Sequence, residues 1–266
     1  LDVAVWNRSI DKAQRLAPLG AHVHALAANA VRDADVVISI LENGPVTQAV
    51  LTGGVAQAMK TGALWIDMAS TQPAEARAHA ALLERHQVAH VDAPVSGGTL
   101  GAEQGTLAIM CGAATLEDFQ RAEPILKHLG RPTRVGGVGA GQLAKLANQL
   151  IVGVSIAAVS EAMLLVQKGG GDPAAFKAAI AGGFADSRIM QVHGQRMLER
   201  DFAKRGSMAV QLKDMRNIQS TAVEIGAELP VAELVRKLYD DAVNSGLSEL
   251  DHSALWVALA QKNELQ

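Results

Sequence analysis

The chain has 266 residues, enough for one or two domains with a large buried core, which excludes a small protein that depends on disulfides. Hydrophobic residues make up 49% of the chain and charged residues 19%, which excludes a disordered polymer. The net charge of −3, without a long basic run, indicates no nucleic-acid partner. The single cysteine, Cys111, predicts a cytoplasmic protein that does not depend on an oxidising compartment.

Apolar runs of strand length alternate with Ala-rich segments of helical composition in the first half of the chain. We predict helices over 46–60 and 74–86. The predicted strands are 3–6, 36–41, 64–68, 88–91, 107–111 and 133–135. Strands and helices that alternate in this way indicate a largely parallel sheet that is covered on both faces.

The second half of the chain is predicted to be entirely helical. Residues 141–167 contain no proline and predict one helix roughly 40 Å long. Asp172 and Pro173 begin a second helix, which ends near Gly182. Further helices are expected over 189–200, 208–225, 231–244 and 252–261. We therefore place a domain boundary near position 138, with domains at 1–138 and 139–266.

The long helix is apolar enough to raise the question of a membrane span. Glu161 interrupts its uncharged stretch, Leu146 to Ser160, which is shorter than the roughly 20 apolar residues that a span needs. We therefore predict no membrane partner, and instead a buried central helix or one at a subunit interface.

Three polar residues, Asn7, Arg8 and Ser9, follow the first predicted strand. In doubly wound nucleotide-binding sheets, the residue at the tip of the second strand meets the adenosine ribose, where an Arg can pair with a 2′-phosphate. If the first predicted strand is that second strand, these residues favour NADP(H) over NAD(H). An ordinary polar turn accounts for the residues taken alone.

The glycine-rich run Gly136 to Gly141 precedes the long helix. It resembles a phosphate-binding loop, but Gln142 stands where the dinucleotide fingerprint has Gly or Ala, so a hinge that brings backbone close to a ligand fits better. Lys145 and Asn148 then share one helical face. A partly desolvated Lys suits proton transfer near neutral pH, although a solvent-facing Lys near a helix end fits the sequence equally well.

Two further segments carry polar groups suited to an anion. In the run Asp92 to Gly98, Pro94, Gly97 and Gly98 expose backbone N–H groups beside the Ser96 hydroxyl, which suits a carboxylate or phosphate. For this run a plain turn is the alternative. The second segment is Lys213-Asp214 in a predicted helix, for which a solvated charge pair is the alternative. The sequence has no His-Glu-x-x-His spacing and no Gly-x-Ser-x-Gly elbow, so we predict neither a metal site nor a serine hydrolase.

Taken in order, these motifs resemble the β-hydroxyacid dehydrogenase family over almost the whole chain, and stretches such as Lys145 to Val152 resemble its tartronate semialdehyde reductase branch. The motifs that carry the resemblance are Asn7-Arg8, Asp67 to Ser70 with Pro73, Asp92 to Gly98, Gly105 to Leu107, Gly139 to Gly141, Lys145, Asn148, Lys213-Asp214 and Asp251 to Ser253. The implied fold is an α/β Rossmann-type doubly wound sheet followed by an all-helical domain that packs as a homodimer or homotetramer.

The resemblance also implies roles for individual residues. Lys145 would be the general acid and Asn148 would position the reacting oxygen. The substrate carboxylate would be held by Ser96, Gly97 and Gly98, with help from Lys213. The cofactor, NADP(H) or alternatively NAD(H), would contact Asn7, Arg8, Ser9, Leu41 and Ser70.

One departure from the family pattern is large. Family members begin with a strand, a Gly-x-Gly-x-x-Gly loop and a helix, about 25 residues that this chain does not show. We expect either an N-terminally truncated form of a working enzyme or a protein that does not bind the cofactor normally, and the intact downstream motifs favour truncation. The expected reaction is reduction of tartronate semialdehyde to glycerate. A 3-hydroxyisobutyrate dehydrogenase, another semialdehyde reductase, or an inactive oligomerising or cofactor-sensing module are the alternatives.

Overall fold

The computed structural model describes residues 2–265, which form two compact units that meet in sequence between Lys145 and Leu146. The strands of the first unit are β1 (Ala4–Val5), β2 (His22–Val23), β3 (Val36–Ser39), β4 (Leu64–Asp67), β5 (Ala89–Asp92), β6 (Val95–Ser96), β7 (Leu107–Ala113) and β8 (Gly130–Gly136). Its helices are α1 (Ile10–Gln14), α2 (Ala27–Val31), α3 (Gly44–Val50), α4 (Ala56–Ala58), α5 (Pro73–Glu84), α6 (Gly98–Glu103) and α7 (Leu116–Leu126).

One helix, α8 (Ala140–Lys168), begins in the first unit and continues into the second, which is entirely helical apart from an isolated β-bridge between Ser207 and Asp251. The other α-helices of the second unit are α9 (Pro173–Ala179), α10 (Gln195–Glu199), α11 (Met208–Ile225), α12 (Pro230–Ala242) and α13 (Leu255–Lys262), with π-helical turns at Met190–Gly194 and Val243–Leu247 and a 3₁₀ turn at His252–Ala254. The long helix of the sequence analysis is thus confirmed, with one more residue at each end.

The strand order matches a doubly wound sheet. Strands β3, β4 and β5 are parallel neighbours, β7 pairs antiparallel with β5 and β6, and β8 pairs parallel with β7. Strands β1 and β2 form a separate parallel pair. The doubly wound fold has the strand order 3-2-1-4-5-6. In this chain β2 corresponds to strand 3 of that order and β1 to strand 2. Strands β3, β4 and β5 correspond to strands 4, 5 and 6. No strand within residues 2–265 takes the place of strand 1.

The core of the first unit is built on the central strands. Every residue of β4 is buried, because helices cover both faces of a parallel strand and its sequence is then continuously apolar up to Asp67. Apolar side chains of β5, β7 and α7 complete one layer of this core. The parallel α/β fold expected from the alternating pattern is confirmed.

One local prediction was wrong, and two short strands were missed. The helix expected over 46–60 is interrupted by a wider turn at Leu51–Val55, because Gly54 adopts φ +103°, a conformation that glycine reaches without strain. The two-residue strands β2 and β6 were not predicted, since so short a segment shows no alternation.

The second unit packs around α8. By length and composition this helix could cross a membrane, yet 39% of its most apolar stretch is buried inside the protein. Leu146, Ile156 and Met163 lie in a core that includes Met215 of α11 and Tyr239 of α12. Ile151 and Leu165 are exposed on the same helix.

A buried carboxylate joins three segments of the second unit. Asp251 is fully buried and its two oxygens each lie 3.2 Å from Nη1 of Arg196. The hydroxyl of Ser253 donates to Oδ1 (2.6 Å) and the backbone N–H of Gly206 donates to Oδ2 (3.2 Å). Burial acts to raise the pKa of Asp251, but hydrogen bonds from His193 and Ser253 outweigh it and hold the pKa well below its usual range.

Replacing this carboxylate by an amide should destabilise the protein. Asp251→Asn leaves the Arg196 guanidinium without its counter-charge in a mostly buried position, which costs about 3 kcal/mol of unfolding free energy. Urea unfolding followed by circular dichroism measures the loss. The control is Asp241→Asn, which breaks an exposed ion pair with Lys262 and should cost less than about 1 kcal/mol. Equal losses in the two variants would contradict the role assigned to Asp251.

Candidate active site

The predicted cofactor residues lie at the carboxyl ends of parallel strands in the first unit. Asn7, Arg8 and Ser9 follow β1, Leu41 follows β3 and Ser70 follows β4. Doubly wound sheets bind their ligands outside this edge. All five residues therefore follow the carboxyl ends of parallel strands, although β1 is not hydrogen-bonded to β3.

The turn after β1 presents a cation. The side chain of Asn7 accepts a hydrogen bond from the backbone N–H of Ser9 (2.9 Å), which holds the turn in shape. Arg8 between them is exposed and forms no ion pair with any other residue in the range 2–265. If β1 corresponds to the second strand of a doubly wound sheet, this guanidinium follows the strand whose tip meets the adenosine ribose in such folds.

A buried carboxylate shapes the tips of β3 and β4. Oδ1 of Asp67 accepts from the hydroxyl of Ser39 (3.0 Å) and from the backbone N–H of Ala69 (3.1 Å). These bonds fix the loops that lead to Leu41 and Ser70. Burial raises the pKa of Asp67 to about 6, against the hydrogen bonds from Ala69 and Ser39, which lower it.

A second buried carboxylate, Asp92 at the end of β5, binds the first turn of α8. Its Oδ1 accepts from the backbone N–H of Gly139 (2.7 Å) and its Oδ2 from that of Gln142 (2.9 Å). An anion at a helix N-terminus satisfies N–H groups that lack intrahelical partners and interacts favourably with the helix dipole. Burial raises the pKa of Asp92 to about 6, opposed by these same N–H groups.

Glycines make this close approach possible. A Cβ at Gly112 would lie 2.5 Å from Oδ1 of Asp92, and a Cβ at Gly141 would overlap the backbone oxygen of Met110. Any side chain at either position would push α8 away from the sheet. The glycine-rich run before α8 therefore brings backbone close to Asp92 and β7, where the sequence analysis expected an approach to a ligand.

Gln142 is a functional residue that the sequence analysis missed. Its side chain is fully buried; Nε2 donates to the backbone oxygen of Ala69 (2.8 Å) and Oε1 accepts from the N–H of Thr71 (2.9 Å). The same residue thus holds the loop that carries Ser70. The signal was present in the sequence, because Gln142 is the residue that departs from the dinucleotide fingerprint.

Lys145 and Asn148 follow on α8. Lys145 lies one turn after Gln142 on the same helical face, and Asn148 lies one turn after Lys145. Both side chains are half-buried. The helix that carries the predicted general acid is therefore fixed at its beginning to the loops after β4 and β5.

The predicted carboxylate-binding loop begins at Ser96, four residues after Asp92. Ser96 ends β6, and Gly97 and Gly98 have φ angles of +143° and +66°, which lead the chain into α6. Both glycines are exposed, and a Cβ at Gly98 would meet nothing within 4 Å. The half-buried Ser96 hydroxyl and the N–H groups that follow it can therefore meet a small anion.

The remaining predicted residue, Lys213, lies on α11 in the second unit. Its Nζ is 3.3 Å from Oδ1 of Asp214, and the two side chains differ sharply in exposure, at 46% and 7%. Asp214 is therefore not part of a solvated charge pair. Its other oxygen accepts a hydrogen bond from Nε2 of Gln149 (2.8 Å).

One cluster in the second unit has the side chains of a metal site. The ligand atoms of His193, Asp251 and His252 lie within 4.8 Å of one another. However, Nη1 of Arg196 contacts both oxygens of Asp251 and lies 3.4 Å from Nδ1 of His193. A guanidinium already supplies the positive charge there, so we assign the cluster to the stability of the fold.

The first unit therefore combines a dinucleotide-binding sheet edge, a loop suited to a small anion and a Lys on a fixed helix. The exposed guanidinium after β1 fits a nicotinamide dinucleotide, which would lie along the tips of the parallel strands. Such an arrangement defines a nicotinamide-dependent oxidoreductase.

Comparison with known proteins agrees with this class. The profile for the NAD-binding domain of 6-phosphogluconate dehydrogenase matches residues 1–140, and that for the NAD-binding domain of NADP-dependent 3-hydroxyisobutyrate dehydrogenase matches residues 139–259. The 2-hydroxy-3-oxopropionate reductase of Escherichia coli is 38% identical over 93% of this chain and 85% of its own length. A probable mitochondrial 3-hydroxyisobutyrate dehydrogenase-like protein of Arabidopsis thaliana is 31% identical over 99% of this chain and 79% of its own length.

Solved structures show the same relationship. The 3-hydroxyisobutyrate dehydrogenase of Mycobacterium tuberculosis matches with a TM-score of 0.89 and 29% identity, over 97% of this chain and 90% of that one. The chain belongs to the β-hydroxyacid dehydrogenase family, as its motifs predicted. It is an oxidoreductase that uses a nicotinamide cofactor and acts on the CH–OH group of small hydroxy acids.

The raised pKa of Asp67 predicts a pH-dependent stability. The folded state binds the Asp67 proton more tightly than the unfolded state. The contribution of this proton to the unfolding free energy is therefore complete below pH 4 and is lost as the pH rises through about 6. Between pH 4.5 and 7, the wild-type protein should therefore lose about 2 kcal/mol more unfolding free energy than Asp67→Asn, which keeps the Oδ1 acceptor.

Urea unfolding at several pH values measures this difference. Asp33→Asn, at an exposed position in the same unit, is the control and should follow the wild-type curve. A parallel pH dependence in wild type and Asp67→Asn would show that the Asp67 carboxyl group does not titrate in this range.

Proposed function

We propose that this protein reduces a small semialdehyde that carries a carboxylate to the corresponding hydroxy acid, with NADPH as the preferred cofactor and tartronate semialdehyde as the substrate. The observation that carries the proposal is the position of Asp92. This residue lies a few residues before the Ser96 to Gly98 loop, and its carboxylate binds the first turn of the helix that carries Lys145. One carboxylate thereby sets the distance between an anion-binding loop and a proton donor. A substrate with a carboxylate close to its carbonyl carbon fits this arrangement.

The roles of the residues follow from their chemistry. The Ser96 hydroxyl and the N–H groups of Gly97 and Gly98 would bind the substrate carboxylate, and Lys213 would add a positive charge. These contacts orient the carbonyl group, which converts a random encounter into a positioned reaction. The bound cofactor supplies the hydride.

Lys145 would deliver the proton. In the reductive direction its ammonium group donates a hydrogen bond to the carbonyl oxygen and then transfers a proton to it as the alkoxide develops. In the oxidative direction the neutral amine accepts the proton of the hydroxyl group. Asn148, one turn further on α8, would hold the same oxygen or the Lys145 amine in place.

The particular substrate is supported by one comparison. The relative at 38% identity is a 2-hydroxy-3-oxopropionate reductase, and 2-hydroxy-3-oxopropionate is tartronate semialdehyde. Several other relatives are named as probable 3-hydroxyisobutyrate dehydrogenases or as similar to them; for that reaction the substrate would bear a methyl group in place of a hydroxyl group. The 3-hydroxyisobutyrate reaction is therefore the second candidate.

Loss of Lys145 should abolish most of the turnover. Lys145→Ala should lower kcat by about 100-fold or more, since a positioned proton donor contributes that much. NADPH oxidation at 340 nm measures the rate with tartronate, methylmalonate and succinate semialdehydes. Lys168→Ala, an exposed residue at the other end of α8, is the control and should keep the wild-type rate.

The substrate panel separates the candidate functions. The highest kcat/KM with tartronate semialdehyde supports the proposal, and the highest value with methylmalonate semialdehyde supports the 3-hydroxyisobutyrate reaction. Wild-type protein without activity on the whole panel would indicate an inactive module. Full activity of Lys145→Ala would contradict the proposed proton donor.

The cofactor preference depends on Arg8. Arg8→Ala removes the guanidinium that would pair with the 2′-phosphate, so kcat/KM for NADPH should fall at least about tenfold, which is the value of a charged hydrogen bond. The value for NADH should change less than about twofold. Arg15→Ala, at another exposed position of the same unit, is the control. Equal losses for both cofactors would exclude a contact with the 2′-phosphate.

A further inference from the structure

Two buried titratable side chains meet between β4 and α5 in the first unit. Nδ1 of His79 on α5 lies 3.9 Å from Oδ2 of Asp67 at the end of β4, and the side chains are only 1% and 2% exposed. Ser39 and Ala69 donate to the other oxygen of Asp67, so Oδ2 is the atom that faces the imidazole. We call Asp67 and His79 the buried pair.

The tautomer of His79 decides what this contact can be. Its ring donates a hydrogen bond to the backbone of Gly44, the first residue of α3. Because Nδ1 has no hydrogen-bond partner within residues 2–265, the donor is Nε2. In a neutral imidazole, a proton on Nε2 leaves a lone pair on Nδ1. That lone pair faces Oδ2 of Asp67, so two buried acceptors oppose each other when the carboxyl group is ionised.

One proton between the two side chains removes this conflict. Whether the proton is on Oδ2 or on Nδ1, the contact then joins a donor to an acceptor, and the buried pair has no net charge. Without the proton the pair is a buried anion, and with a second proton it is a buried cation. Both charged states lose solvation free energy in the core, so the singly protonated pair is the favoured state.

The groups around the buried pair favour this state. Burial raises the pKa of Asp67 to about 6, and the negative charges of Asp92 on β5 and Glu75 on α5 act in the same direction. Burial lowers the pKa of His79, so the proton belongs mainly to the carboxyl group. The buried His90 on β5 stays neutral, because burial lowers its pKa to about 3. The contacts from β3 and α3 are uncharged.

The buried pair connects segments that carry two predicted cofactor residues. With the proton in place, hydrogen bonds join Ser39 on β3 to Asp67, and Asp67 through the imidazole to Gly44. Leu41 lies between Ser39 and Gly44, and Ser70 follows Asp67 by three residues. Both segments are therefore attached to the same proton-dependent contact.

We propose that Asp67 and His79 share one buried proton, and that this proton makes cofactor binding depend on pH. Loss of the proton places two acceptors against each other, so the segments after β3 and β4 become less ordered and bind the dinucleotide less tightly. His79 is thus a positioning residue that does not itself touch the cofactor. The inference rests on the proposed function in its cofactor, NADPH, and not in its substrate.

The state of His79 can be measured without cofactor or turnover. In protein labelled with ¹⁵N-histidine, the Nδ1 signal of His79, assigned by its loss in His79→Gln, reports whether this atom has a bare lone pair. The signal should change as the pH rises through about 6. In Asp67→Asn it should stay constant from pH 5 to 8, because the Asn amide donates to Nδ1 at every pH. A wild-type signal that stays constant over this range would overturn the shared proton.

Fluorescence titration of NADPH measures the effect on cofactor binding. The 2′-phosphate of NADPH itself titrates at about pH 6, so wild type and variants are compared at each pH. The ratio of the wild-type Kd to the Asp67→Asn Kd should rise about fivefold between pH 5 and 8, the value of one hydrogen bond.

Two further variants separate the shared proton from other effects. In His79→Gln the amide can still donate to Gly44, but no atom takes the place of Nδ1. The ratio of its Kd to the Asp67→Asn Kd should therefore stay constant with pH. His128→Gln removes an exposed imidazole of the same unit and should follow the wild-type curve. Circular dichroism checks that His79→Gln folds, and the comparison of wild type with Asp67→Asn does not depend on that variant.

The outcomes are distinguishable. If the wild-type Nδ1 signal titrates but the ratio of wild-type to Asp67→Asn Kd stays constant, or if the wild type binds no NADPH, the link between the proton and the cofactor is wrong. If the affinity follows the expected pH dependence while the wild type reduces no acid of the panel, the inference stands and the proposed function fails.

Discussion

The binding of the first turn of α8 by the Asp92 carboxylate is the interaction on which the first unit depends. The carboxylate lies at the end of β5, among buried apolar side chains, and it is stable there because two backbone N–H groups without intrahelical partners surround it. Removing it would leave those donors unsatisfied and would release the helix from the sheet. The positions of Ser96, Gly97, Gly98 and Lys145 all follow from this attachment.

The same constraint explains residues that would otherwise look unrelated. Gly112 and Gly141 have no side chain because the carboxylate and the strand backbone occupy the space of a Cβ. Gln142 is buried and polar because it completes the attachment by binding the loop after β4. Asp67 plays a corresponding part between β3 and β4, so two acidic residues, adjacent across the sheet, shape the edge where the cofactor would lie.

Much of the fold could be predicted from local patterns. The lengths of α8 and α11 follow from uninterrupted apolar spacing, and the start of α9 from Asp172 and Pro173, because these signals act within a few residues. The motifs by themselves also indicate the family. Strands β2 and β6 and the break at Gly54 escaped prediction, since none of them produces a repeating pattern.

The sequence by itself determined the class of fold, the order of the motifs and the residue types available for chemistry. Only the tertiary structure decided which groups these residues bind. The backbone N–H of Gly139, just before α8, binds a carboxylate 47 residues earlier in the chain, rather than a phosphate, and the side chain of Gln149 donates to Asp214, 65 residues later. Such pairings depend on how distant segments pack against one another, and local spacing carries no information about which acceptor a donor will meet.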